Sequence, residues 1–122
     1  NEINQINLLA KLFNLTKQNT KIIMHGGGLN LLKFYEKFRF TENIFIDLSY
    51  TMEHYIQTTL KKDMIFLFKN FDKRILVGSD FPSFSLKQFK ICLNKLIKHS
   101  KINNKKKTNI LINNINKIQN YE

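Results

Sequence analysis

The side chains best suited to chemistry in this chain are His25, Asp47 and Asp80, with Ser49 and Ser79 beside them. His25 runs into Gly26-Gly27-Gly28, Asp47 into Leu48-Ser49, and Asp80 into Phe81-Pro82. Each lies at or near the end of a short apolar run, and His25 and Asp80 are followed at once by residues that break regular structure. A neutral imidazole and a carboxylate that converge on one point can hold a divalent metal. The same pair can act as a base and its orienting partner. Glycines behind the histidine let the backbone approach a ligand closely and take positive φ. Asp80 is the most informative, because an unpaired buried carboxylate is costly and an acid at the end of a buried strand needs a reason. Structural roles compete with each of these. His25 can be a hydrogen-bonded strand-end residue, the three glycines can be only a turn, and Asp47 can cap a helix or pair with Lys or Arg. His54 falls in a stretch of no readable pattern. His99 falls at a helix end, where the dipole is reason enough for it.

Strands must position these residues. Arg74 to Asp80 contains the apolar run Ile75-Leu76-Val77, which suits a strand covered on both faces. Lys21 to His25 and Asn43 to Ser49 read as two more strands. Helices are expected over Glu2–Gln18, Leu29–Phe40 and Leu60–Phe71 from apolar residues at three- and four-residue steps. Ser85 is a fitting N-cap for a helix to about His99, and a last helix is expected over Thr108–Gln119. Tyr50–Thr59 reads as a loop with a helical turn. Alternation of this kind implies right-handed βαβ units and a parallel sheet in an α/β fold. Parallel strands bring their C-terminal ends to one rim, where ligands bind in open sheets and barrels. His25, Asp47–Ser49 and Asp80 are therefore expected around one pocket.

The 122 residues suffice for one domain, and no linker divides them. The chain opens with Asn1 inside an amphipathic pattern, which reads as a piece of something longer. The formal charge is +11, but Arg39 and Arg74 are the only arginines, and Lys, Asn and Ile are spread evenly, as a coding bias toward A and T produces. Lys105-Lys106-Lys107 reads as a solvated helix end. No nucleic-acid motif is present, so nucleic acid is not expected as a partner. No 18-residue apolar run suggests a membrane span, and no signal peptide is visible. The single Cys92 lies in an apolar helical pattern and reads as a buried, inert thiol. A reducing, cytoplasmic setting fits.

Taken in order, His25-Gly26-Gly27-Gly28, then Asn43 to Ser49, then Arg74 to Pro82 resemble the C-terminal part of the amidohydrolase-related family. That family joins metal-dependent hydrolases and aminocarboxymuconate-semialdehyde-type decarboxylases. The end is similar too, with Asn114 in the place of an asparagine in the family's closing helix. The resemblance implies a partial (β/α)8 TIM barrel, with residues 1–122 supplying its sixth to eighth βα units. It implies that His25 faces and activates a metal-bound water, and that Asp80 is a metal ligand or the base that takes its proton. Both are thus candidate catalytic and metal-binding residues, and Zn2+ is the first candidate metal. The implied substrate is small, cyclic or carboxylated. The implied partner is the missing N-terminal half of the barrel. The family's first-strand His-x-His pair and fifth-strand histidine have no counterpart here, so the chain offers part of a site. A related decarboxylase and an inactive barrel remnant are the alternatives.

Overall fold

Three short parallel strands form the centre of the molecule, in the order β1-β2-β3. The computed structural model describes residues 2–16 and 18–119. Helix α1 (Glu2–Leu15) leads to β1 (Lys21–Ile23), then α2 (Leu31–Phe38), β2 (Ile44–Asp47) and the short α3 (Thr51–Tyr55). Helix α4 (Leu60–Asn70), β3 (Ile75–Leu76), α5 (Leu86–Ser100), α6 (Asn104–Thr108) and α7 (Asn114–Gln119) follow. Lys21 pairs with Ile44 and Ile23 with Ile46; Ile46 pairs with Ile75 and Asp47 with Leu76. The α/β architecture and the three-strand parallel sheet agree with the pattern of the sequence. No described helix is long and apolar enough to cross a membrane.

The strands are shorter than their apolar runs. β1 stops at Ile23 because His25, Gly26 and Gly27 all take left-handed backbone conformations, with φ of 53°, 62° and 73°. β3 keeps only two residues because Gly78-Ser79-Asp80 turns away, with Asp80 at φ 53°. Every residue of the central strand β2 is buried. Ile44 and Ile46 face the helices with Ile75, Met64, Leu67, Phe68 and Leu96. Each such side chain contributes about 1.5–3 kcal/mol when fully buried. Phe45 and Asp47 alternate with them and point to the opposite face.

Helix ends follow local chemistry. Ser85 caps α5 through a reciprocal box, its hydroxyl accepting from Gln88 N while Gln88 Oε1 accepts from Ser85 N. Arg74 caps the C-terminal end of α2. Its guanidinium donates to the carbonyls of Phe38, Arg39 and Thr41 and lies 4.2 Å from the centre of the Phe71 ring. Burial lowers the pKa of this guanidinium, while Glu42 and Tyr35 push it back up.

The lysine run is a solvated helix end, as expected from sequence, with Lys105 and Lys107 exposed. Lys105 to Lys107 lie within α6, whose N-cap Asn103 accepts from Lys106 N at 2.9 Å, and Lys106 Nζ donates to the Lys69 carbonyl. The single closing helix expected over Thr108–Gln119 is instead interrupted by a π-turn at Asn109–Asn113. Its wider repeat brings residues five apart to one side. Asn109 Nδ2 therefore reaches Asp72 Oδ2 at 2.8 Å, and Asn114 Nδ2 reaches the carbonyls of Asp72 and Ile75 at 2.6 and 2.7 Å. This buried network fastens the C-terminal segment to the entry of β3.

Candidate functional site

The C-terminal ends of the three strands open into three exits, residues 24–30, 48–59 and 77–85, and none carries a lysine or arginine. In a chain of charge +11 this rim is set apart, for it holds the carboxylates of Asp47, Glu53 and Asp80. Each exit also places one non-glycine residue at positive φ: His25, Tyr50 and Asp80. Such conformations cost of order 1–3 kcal/mol and persist only where surrounding structure enforces them.

Tyr50 is the most strained of the three. Its φ of 66° and ψ of −54°, with Thr51 N donating to Ser49 O at 2.7 Å, define a γ-turn of the rare positive-φ hand. The turn meets His25 directly. His25 Nδ1 lies 2.8 Å from the same Ser49 carbonyl, and the Thr51 hydroxyl donates to the His25 carbonyl. A carbonyl can only accept, so Nδ1 carries the ring proton and Nε2 holds the lone pair. The Tyr50 ring stands edge-on to His25, with centroids 5.4 Å apart. On its other contacts it stacks with His54 at 4.9 Å and leans on Phe84 at 5.7 Å.

Asp47 is buried at the end of β2 and is held locally. Its Oδ1 accepts from Ser49 N at 3.0 Å and from the Ser49 hydroxyl at 2.6 Å. This is a turn closed within the exit and not the helix cap weighed from sequence, since α3 has Tyr50 at its N-cap and no side-chain capping bond. Ser49 also sets the approach of the β3 exit, because a Cβ on Gly78 would stand 2.6 Å from Ser49 Oγ. A side chain at position 78 would force these two exits apart.

Asp80 is half-buried on the same rim, beyond the β2 exit from His25. Among the described residues no hydrogen bond joins the two. Asp80 is instead an electrostatic neighbour of Glu53. Both carboxylate oxygens of Glu53 are buried without a hydrogen-bond partner. Burial pushes its carboxyl above the ordinary value and its own amide pulls it back. Asp80 and Asp47 push it up again, and the Tyr50 amide lowers it. The two amides are close enough to act through space but lack hydrogen-bond geometry. Glu53, Tyr50 and Thr51 were not among the candidates legible in the sequence; they lie in the stretch expected as a loop with a helical turn, and α3 is that turn. An acid at the third position of a helix that follows a strand was the available signal.

His54 is exposed and belongs to the aromatic stack on Tyr50. His99 is exposed at the end of α5, and its pKa is lowered, mainly by Lys61 and then by slight burial, Lys95 and Lys98. Cys92 is half-buried against the core. Burial and then the Glu53 carboxylate raise its thiol pKa, against a smaller opposing effect of Lys95. It stays protonated at neutral pH.

Among the described residues no three His, Cys, Asp or Glu side chains group closely enough to hold a metal ion. His25 and Asp80 offer two of the three or four protein ligands that Zn2+ takes, so they do not make a zinc site by themselves. The fold defines a small α/β unit whose three parallel strands end at one rim. Comparison of the chain with family models, with curated proteins and with solved structures finds no match in any of the three.

Proposed function

We propose that this chain is the C-terminal part, the sixth to eighth βα units, of an amidohydrolase-like (β/α)8 barrel. Its rim would serve the hydrolysis of a small cyclic substrate by an activated water. The observation that carries the reading is the bond between His25 Nδ1 and the Ser49 carbonyl. It presents Nε2 as a base at the mouth of a parallel sheet, where such folds do their chemistry. Nε2 accepts a proton as water adds to the carbonyl carbon of the substrate ring; the ring C–O or C–N bond then breaks, and the imidazolium, which keeps its Nδ1–H bond to Ser49, returns the proton to the leaving oxygen or nitrogen. Asp80 is the second acid–base group, with Glu53 beside it. Positive-φ residues at all three exits support a rim built for function. The open edges of β1 and β3, which each pair on one side only, are suited to further strands.

Zn2+, the metal the resemblance calls for, would draw its other ligands from outside this chain. Of the two substrate types, the neutral cyclic one fits better. A rim without Lys or Arg offers a free carboxylate no partner. That also weighs against the decarboxylase alternative.

The test is turnover of a panel of activated lactones, lactams and esters by the full-length parent barrel the proposal requires, with Zn2+ present. Asp80→Asn and His25→Ala should each lower kcat by ~10²–10⁴. A parent activity that survives both changes within about threefold would exclude the catalytic roles.

A barrel remnant is the second reading. Ile22 and Met24, at 41% and 60% exposure beside the open edge of β1, favour it, because such an edge pairs with other chains. Size-exclusion chromatography with circular dichroism tests whether the chain aggregates through that edge. A stable, cooperative monomer would contradict the partial barrel that both readings share.

A further inference from the structure

We propose that Thr51 is a positioning residue for His25, and that the γ-turn at Tyr50 sets which nitrogen of that imidazole faces the mouth. This rests on the reading of His25 as the rim's base. The argument starts with the backbone. His25 sits at φ 53°, ψ 24°, and the next two residues are also left-handed. Nothing in the histidine itself holds that conformation, which most residues avoid. The Thr51 hydroxyl donates to the His25 carbonyl from a side chain with no exposed surface. A buried hydroxyl has no water to turn to, so it and the carbonyl hold each other.

The second constraint is on the ring. Ser49 O accepts from Thr51 N across the γ-turn and faces His25 Nδ1 at 2.8 Å. One carbonyl thus serves both the turn and the imidazole. Thr51 is the common element, because its amide closes the turn and its hydroxyl fixes the histidine backbone. An extended chain at Tyr50 would carry Ser49 O away from His25, and the ring would lose its acceptor. This gives the strained Tyr50 conformation a role. It is retained because it aims a carbonyl at the ring.

The test is 15N NMR of the histidine ring in the intact chain, at a pH where His25 is neutral. The tautomer is read directly, with no need for turnover. Failure here is therefore separate from failure of the proposed hydrolysis. The parent should show the Nδ1–H form of His25 in at least about tenfold excess. Thr51→Val should reduce that excess by about threefold or more, and Thr51→Ser, which keeps the hydroxyl, should restore it. Tyr50→Gly, which permits the same backbone at lower cost, should leave the parent tautomer in place. Predominance of the Nε2–H form in the parent overturns the proposal. So does a Thr51→Val spectrum equal to that of the parent. Should Thr51→Val fail to fold, the parent tautomer and the Ser and Gly variants still decide.

Discussion

Asn114 offers the sharpest test of how this molecule is held together. Its side-chain nitrogen donates to two buried carbonyls, Asp72 O at 2.6 Å and Ile75 O at 2.7 Å. Both carbonyls flank the entry of β3, so the contact sets where that strand begins. In Asn114→Ala two acceptors lose their donor inside the protein. Leaving a buried acceptor unpaired costs about 1–3 kcal/mol. Two such losses, partly relieved because one nitrogen served both, give about 3 kcal/mol. Domains of this size are stable by only about 5–15 kcal/mol, so the loss is a large share. It corresponds to a fall in Tm of about 10 °C. Urea unfolding followed by circular dichroism measures it, with an unchanged m-value showing that the unfolded reference is the same. A loss below about 1 kcal/mol would refute the reasoning, since it would mean that water or relaxation satisfies both carbonyls.

Three further outcomes follow from the geometry. Gly27→Ala should cost about 2 kcal/mol or more, because φ is 73° and the added Cβ would stand 2.2 Å from the Phe34 ring; thermal unfolding reads it, and an unchanged Tm contradicts it. Arg74→Lys should destabilise by about 2 kcal/mol, since an ammonium cannot span the three carbonyls at the end of α2; denaturant titration checks it. Glu53→Gln should gain on the parent as pH rises. The raised carboxyl pKa gives the parent stability that is full below the ordinary glutamate value and lost as pH climbs through the raised one. A stability difference that does not vary between acid and neutral pH would show that Glu53 is not perturbed.

Much of the framework was legible because it is local. The capping box at Ser85 and Gln88 is written in adjacent residues, and it starts α5 where the sequence places it. The apolar runs around Ile44–Asp47 and Ile75–Leu76 become neighbouring parallel strands, as alternation with helices requires. Strand lengths were less legible. A left-handed run at His25-Gly26-Gly27 ends β1 two residues early, although Met24 and His25 continue its pattern. The π-turn at Asn109 has no sequence period of its own, because it exists to bring Asn109 and Asn114 onto Asp72.

The sequence by itself determined that His25 and Asp80 leave parallel strands on one rim. Periodicity and breaking residues act within a few positions of the chain, and direction follows from βαβ handedness. Only the tertiary structure decided which nitrogen of His25 is offered, that Glu53 joins the rim with both oxygens buried, and that Asp47 is spent on Ser49. Those facts depend on side chains and carbonyls from segments that meet across the sheet, such as His25 and Ser49, 24 residues apart. No local rule carries such a distance; the packing of β1 against β2 does.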